Sequence, residues 1–270
     1  MTTRQILATA GFAQLTCAPA TVLLGQVHDP FAGAPGPIAG QAGGTGFGGP
    51  YTGAGNVVAP GLTFPNLLTS GNKFATAGSN NGAFRTLAAP ISTDAGTIWV
   101  GFLAASGGTP APDYAGISFY SGGQTTEELF MGKPFQVNNY GFDVSNVNAQ
   151  NSPTAPVSAT PSLLVYRIAF TPNGETIDFY ANPVPGQPLP PTPTLTFAIP
   201  ESAFADTFTS IRLQSGEGAG TANPFFFDEL RGGGSFASVA PVVPEPASLG
   251  LLAIAGAMAL RRRRAAAAGV

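Results

Sequence analysis

Acid–base and metal chemistry has few starting points in this 270-residue chain: fourteen Asp and Glu, one histidine (His28) and one cysteine (Cys17). Serine or cysteine triads and histidine-based zinc sites therefore lack their parts. Glu127-Glu128 and Asp228-Glu229 are direct neighbours, so on a strand the members of each pair point to opposite faces. Glu175 and Asp178 also oppose each other on a regular strand. Cleaving a glycosidic bond needs two carboxyl groups flanking that bond. No one strand supplies such a pair, and only carboxylates from different strands can meet. Asp143, Asn146 and Asn148, in a loop-like stretch after an aromatic strand, and Asp228 offer oxygen ligands suited to calcium. Asp and Asn in turns commonly bond their own backbone, and a carboxylate beside Arg231 makes an ordinary pair. The expectation is no cofactor, with calcium the one metal these residue types allow.

A second group of residues sits at the carboxyl end, in "VVPEPASLGLLAIAGAMALRRRR", Val242 to Arg264. Ala247 to Leu260 is apolar, and as a helix reaches roughly 21 Å, short of a bilayer core of about 30 Å. Arginines stay on the cytoplasmic side of a membrane segment, so Arg261, Arg262, Arg263 and Arg264 hold the end inside and leave everything before Ala247 outside. Local thinning and snorkelling let so short a helix serve as a weak or transient anchor in the inner membrane. Pro244 and Pro246 cannot extend the helix backwards, which makes Pro244-Glu245-Pro246 an extended, exposed and easily cut peptide.

The amino end agrees with that topology. Arg4 precedes the mostly apolar Ile6–Gly25, and Ala18-Pro19-Ala20 supplies small residues for cleavage, the pattern of a secretory signal peptide over residues 1–25. The alternative is a buried first strand or helix. Cleavage removes Cys17 and leaves a mature chain without disulfides; Gln14 argues against a lipoprotein. Without residues 1–25 and 244–270 the chain keeps six basic and thirteen acidic side chains, a net of about −7. Nucleic acid is thus no partner: the arginines sit behind an apolar run instead of among surface aromatics.

Pro-Glu-Pro, a short apolar helix (247–260) and an arginine cluster (261–264), in that order, resemble the PEP-CTERM sorting signal, also known as an ice-binding protein carboxyl-terminal domain. The resemblance covers about 241 to 264. It implies that the tail is read by an exosortase-type membrane protease of exopolysaccharide-making bacteria, with Pro244, Glu245 and Pro246 as recognition residues and Arg261 to Arg264 as the stop. It also implies that the processed protein goes to the cell surface or extracellular matrix. An uncut tail anchor is the plainer alternative.

The elements that would position any site are short strands. "GTIWVGFLAA" (96–105) and "SLLVYRIAF" (162–170) are nearly continuous β-formers, as central strands covered on both faces would be. Thr171-Pro172-Asn173-Gly174 turns the second of these into "ETIDFYANP" (175–183), the best hairpin in the chain. Further strands are expected at 82–89, 114–121, 127–133, 137–144, 208–215 and 224–231. Gly, Asn and Pro punctuate them. The pattern predicts an all-β, two-sheet antiparallel sandwich with a C-terminal short transmembrane helix. One helical turn is expected at Ser202–Asp206, an irregular region before Gly55 that Phe31, Ile38, Phe47 and Tyr51 can pin to the sheet, and a stiff proline loop at 182–193. Trp99 lies in an apolar strand and reads as core. "PTPTLT" (191–196) has threonine spacing like that of an ice-binding face, but one patch is not a repeated array.

"GGTGF" (43–47), "PGLTFPNL" (60–67), "YAGISFY" (114–120), "LFMGKPF" (129–135), "IDFYANP" (177–183) and "FFFDELRGG" (225–233), in this order, resemble bacterial surface proteins with a concanavalin A-like or laminin G-like jelly roll. The resemblance implies a domain over 26–237 with a curved and a flatter sheet, whose relatives bind sugars, calcium or proteins. It carries over no sugar-binding residue. Residues 238–243 are expected to form a stalk and 244–264 the sorting signal. The expected function is that of an exported, non-catalytic surface or matrix protein that binds or packs with extracellular polysaccharide. The alternatives are a purely structural matrix protein and, less favoured, a polysaccharide-degrading enzyme.

Overall fold

The apolar runs become the middle of a β-sandwich because they are covered on both sides. The computed structural model describes residues 27–244 apart from 79–81, 93–95, 110, 145–149, 201–203, 206 and 217–222. Strands β1 (Val27–Asp29), β2 (Gly36–Pro37), β3 (Thr52–Gly53), β4 (Asn56–Val58) and β5 (Lys73–Ala75) are short. Long strands follow: β6 (Gly82–Ser92), β7 (Gly96–Ser106), β8 (Tyr114–Ser121), β9 (Thr126–Lys133), β10 (Asn139–Val144) and β11 (Gln150–Pro156). The chain continues through β12 (Ser162–Thr171), β13 (Gly174–Ala181), β14 (Leu195–Ile199), β15 (Thr207–Gly216) and β16 (Phe225–Gly233), then a short helix α1 (Phe236–Val239).

The strands form two antiparallel sheets in a jelly-roll-like sandwich. One has nine strands, in the order β14-β13-β12-β7-β16-β5-β4-β2 with β1 also on β16; the other has seven, in the order β11-β10-β9-β8-β15-β6-β3. Between them lies the main core. Phe102, Tyr166 and Phe179 stack in series at 5.9 and 4.9 Å between ring centroids on the nine-stranded side, facing Ile117, Met131, Phe142 and Leu213 of the other sheet. A second apolar cluster covers the outside of the nine-stranded sheet, where Leu103, Ala105, Leu163 and Val165 meet Leu62, Leu67 and Val239. Strands β7 and β12 are therefore covered on both faces over most of their length, which explains their nearly continuous apolar sequence; Arg167, paired with Asp178, is the exception on β12. The 171–174 turn joins β12 to β13 as expected, with Thr171 opposite Gly174.

Two features, the edge strands and the 238–243 segment, depart from the sequence reading, while the threonine patch agrees with it. Strands β11 and β14 are absent from it: "QNSPTAP" carries two prolines and little alternation, which an edge strand tolerates, and β14 is the opposite sheet's edge. Thr194 and Thr196 of the ice-binding-like patch are spent on β13, Oγ1 of Thr194 accepting from Ala181 N (2.9 Å) and Oγ1 of Thr196 donating to Asp178 (2.7 Å). The 238–243 segment, expected to be a stalk, packs on the nine-stranded sheet instead. Val239 and Ala240 are buried, Leu68 N donates to Pro241 O (2.8 Å) and Val243 N to Asn66 O (3.0 Å). The expected helical turn at Ser202–Asp206, the signal segment 1–25 and the transmembrane helix 247–260 all include or lie within residues outside the described ones. Among the described residues no helix is long and apolar enough to cross a membrane.

The Gly-rich region before Gly55 is held down by side chains. Phe31, Ile38 and Tyr51 are buried, and Asp29 accepts from Phe31 N (2.8 Å), Tyr51 Oη (3.0 Å) and Arg85 Nη1 (2.5 Å). Asp29 and Arg85 are each 2% exposed, and the guanidinium lies over Phe47 and Tyr51 with its carbon 4.0 and 4.8 Å from the ring centroids. Removing one member of such a pair strands a buried charge. Arg85→Met is expected to lower the unfolding free energy in denaturant titrations by about 3–5 kcal/mol, and adding Asp29→Leu to recover a substantial part; a single-variant loss below about 1 kcal/mol would show the pair to be as weak as a surface one.

Candidate functional site

Alternation in the seven-stranded sheet sends one set of side chains into the core and the other to the outer face. Ala83, Leu213, Ile117, Met131 and Phe142, one from each of five adjacent strands, are in register on the core side. The next rung outward is Phe84, Arg212, Ser118, Phe130 and Asp143. Beside it runs a nearly side-chain-free rung: Gly82, Gln214, Gly116, Gly132 and Gly141. On its other side Tyr120 pairs with Glu127 and Ser210.

The glycines make a floor on which longer groups lie flat. A Cβ on Gly116 would sit 2.4 Å from both the Phe130 ring and Met131 O, and one on Gly82 would sit 2.6 Å from Arg212 Nε. Phe130 meets Tyr114 edge-on at 6.1 Å, and Tyr114 meets Phe135 at 6.4 Å. Phe135 is 56% exposed. The carbonyl of Asp113 fixes the loop that carries it, accepting from Gln136 N (2.9 Å) and from the buried Lys133 Nζ (2.6 Å); burial lowers the Lys133 pKa, opposed by Asp113.

The polar groups on this face are braced. Glu127 Oε1 accepts from Gln214 Nε2 (2.8 Å) and from Ser118 Oγ, and Gln214 also donates to Ser118 Oγ (3.1 Å). Arg212 stacks over Phe84 at 5.0 Å and donates to Tyr120 Oη (3.3 Å). Burial raises the pKa of Tyr120 and of Asp143, and the Glu127 charge pushes both the same way. The surface thus joins aromatic faces to fixed charged and amide groups, the combination that recognises a polyhydroxylated ligand with apolar C–H faces.

The residues singled out from sequence scatter. Asp143 is on this outer face, Asn146 and Asn148 fall outside the described residues, and Asp228 belongs to the other sheet. Glu127 and Glu128 part as expected: Glu128 turns to Ser121 Oγ at a register break, leaving Glu127 on the face. Glu127 and Asp143 from neighbouring strands share it, the cross-strand meeting that spacing alone left open. Trp99 stacks on Tyr180 at 6.4 Å and abuts Phe236 of α1, a packing role. Pro244 is exposed; Glu245, Pro246 and Arg261 to Arg264 lie outside the described residues. Phe84 on β6 and Arg212 and Gln214 on β15 escaped sequence reasoning, although "FTSIRLQS" spells Ser210, Arg212 and Gln214 as alternate polar residues.

Asp228 and Glu229 occupy a break in β16, whose first half pairs with β5 and second half with β1. Asp228 accepts from Leu62 N and Glu229 N, each at 2.7 Å. Glu229, at φ 50°, accepts from His28 Nε2 (2.8 Å), Arg231 Nη2 (2.5 Å) and Ser70 N. These carboxylates tie the 60–70 loop and the first strand to the sheet. Among the described residues no three His, Cys, Asp or Glu come together to hold a metal. Burial outweighs the hydrogen bonds to Asp228 and, with Glu229, raises its pKa to about 8. A raised carboxyl favours folding fully below its unfolded pKa near 3.9, and that contribution is lost as pH rises towards about 8. Wild type should accordingly lose stability relative to Asp228→Asn between pH 5 and 8, by at most about 1.4 kcal/mol per pH unit, read from urea titrations; parallel profiles would refute the shift.

No protein-family model and no curated protein sequence matches the chain. Solved structures of similar shape include the receptor binding domain of botulinum neurotoxin D, at 10% identity and a TM-score of 0.45 over 69% of this chain and 45% of that one. The serotype D ligand binding domain in complex with N-acetylneuraminic acid matches at 11% and 0.44, over 67% and 43%. The carbohydrate recognition domain of Emp47p matches at 8% and 0.41, over 68% and 88%. The chain thus spans less than half the length of the two neurotoxin chains.

Proposed function

We propose that the chain is an exported, non-catalytic surface or matrix protein that binds extracellular polysaccharide on the outer face of its seven-stranded sheet and is sorted by its tail through an exosortase-type membrane protease. The observation that carries the binding reading is the union, on one face, of the Tyr114–Phe130–Phe135 aromatic group with the braced Glu127 and the Phe84-stacked Arg212. Sugar C–H faces stack on the exposed Phe135 and the half-buried Tyr114, which the buried Phe130 supports, while hydroxyls bond the carboxylate and guanidinium. Ser118 and Gln214, themselves buried, position Glu127. The sorting reading rests on Pro244, Glu245, Pro246, the apolar 247–260 and Arg261–Arg264. A purely structural matrix role is the second reading, favoured by the low exposure of much of this face.

On a glycan array, with and without calcium, the full chain is expected to give saturable, sugar-competed binding. Phe135→Ala and Glu127→Gln should each weaken it at least about tenfold, equivalent to ~1.4 kcal/mol, without changing thermal stability. Absence of saturable binding would favour the structural reading. Release of reducing ends that disappears in Glu127→Gln would overturn the non-catalytic one.

In cells the tail predicts that Glu245→Ala leaves a full-length chain in the membrane fraction where the parent is processed. Finding the parent in the cytosol with both ends intact would sink the export reading.

A further inference from the structure

Among the described residues five large hydrophobic side chains are exposed, and four of them, Leu68, Val184, Val242 and Val243, are between 43% and 52% exposed and gather where the chain leaves the domain. Leu67 bridges to Val242, Leu68 N bonds Pro241 O and Val243 N bonds Asn66 O. Gly186, in the turn closed by Gln187 N to Val184 O (3.1 Å), sits so close to Val242 that an added Cβ would lie 2.6 Å from its Cγ1. Three separate segments thus converge on one apolar patch on the nine-stranded side of the sandwich.

The chain beyond the patch has little slack. Backbone bonding holds it as far as Val243, and the apolar run begins at Ala247. Four residue steps span at most about 14 Å, and each headgroup layer is itself about 5–7 Å thick. A domain tethered this closely to a segment entering hydrocarbon cannot stand clear of the lipid surface. The side it turns to that surface is the side from which the tether leaves.

We infer that Leu68, Val184, Val242 and Val243 form a foot that seats the domain on the outer leaflet beside its own tail, a proposal that rests on the membrane reading of 247–260. The four apolar side chains of the foot match the apolar segment that begins after Pro244-Glu245-Pro246. Seated this way, the domain turns its seven-stranded face, with Phe135 and Arg212, away from lipid and towards the extracellular space.

The test uses the full chain with Cys17→Ser, reconstituted in phosphatidylethanolamine–phosphatidylglycerol vesicles containing nitroxide-labelled lipid. An environment-sensitive fluorophore is placed at Val184→Cys, Ile254→Cys or Thr86→Cys, the last exposed on the opposite sheet. Quenching of at least about twofold is expected at Val184 and Ile254, and none at Thr86. A quenched Ile254 with an unquenched Val184 overturns the foot and leaves the anchor standing. No quenching at either overturns both. An apolar Val184 signal that persists without vesicles assigns the patch to a second copy of the chain and also overturns the foot.

Discussion

The row of Ala83, Leu213, Ile117, Met131 and Phe142 holds the candidate binding face in place from behind. Side chains on a strand alternate with a period of two, so a slip of one residue in β15 or β10 would drive Arg212 or Asp143 into the core and expose Leu213 or Phe142. The cost of burying those charges fixes the register of β15 and β10 against their neighbours. The spacing between the Phe130 ring, the glycine floor and the Arg212 guanidinium follows from that register. The glycines matter at particular points: opposed Gly116 and Gly132 let neighbouring strands approach so closely that a Cβ on Gly132 would lie 2.4 Å from Ala115 O.

Charge is handled differently on the two sheets. On the seven-stranded outer face Glu127 and Arg212 remain partly exposed and engage polar or aromatic neighbours. At the β16 break and beneath β1 the charges are paired and mostly buried: Asp29 with Arg85, and Glu229 with the buried Arg231 and the half-exposed His28. With only 9% charged residues in the whole chain, five of the described ones serve to fasten the N-terminal segment and the 60–70 loop. These groups substitute for strand pairing in a stretch whose ladders are only two or three residues long.

The sandwich was legible because its central strands announce themselves: β7 and β12 are nearly continuous runs of β-formers, and Pro172-Asn173-Gly174 marks the hairpin that follows. Edge strands β11 and β14 were not, since an edge places weak demands on composition and accepts the prolines of "QNSPTAP". The candidate face was half legible. The alternation of Tyr114, Gly116, Ser118 and Tyr120 can be read along β8, but Gln214 bonds Ser118 and Glu127 across 96 and 87 residues, which no local pattern encodes. Asp29 and Arg85, 56 residues apart, escaped for the same reason. The docking of 238–243 was missed because "SVAPVV" has the small and proline residues of a linker, and only the exposed side of β7 and β12 gives it something to cover.

Strands β15 and β16 are the last two made, yet neither lies at an edge: β15 separates β8 from β6, and β16 separates β7 from β5. Both sheets consequently remain in halves until residues beyond 207 and 225 arrive, and most long-range pairing must wait for them. A chain emerging amino end first from a ribosome, or threaded through a narrow pore, stays unable to close its core until nearly all of it has been delivered. The wiring of the sandwich thus leaves cooperative collapse to the last strands delivered.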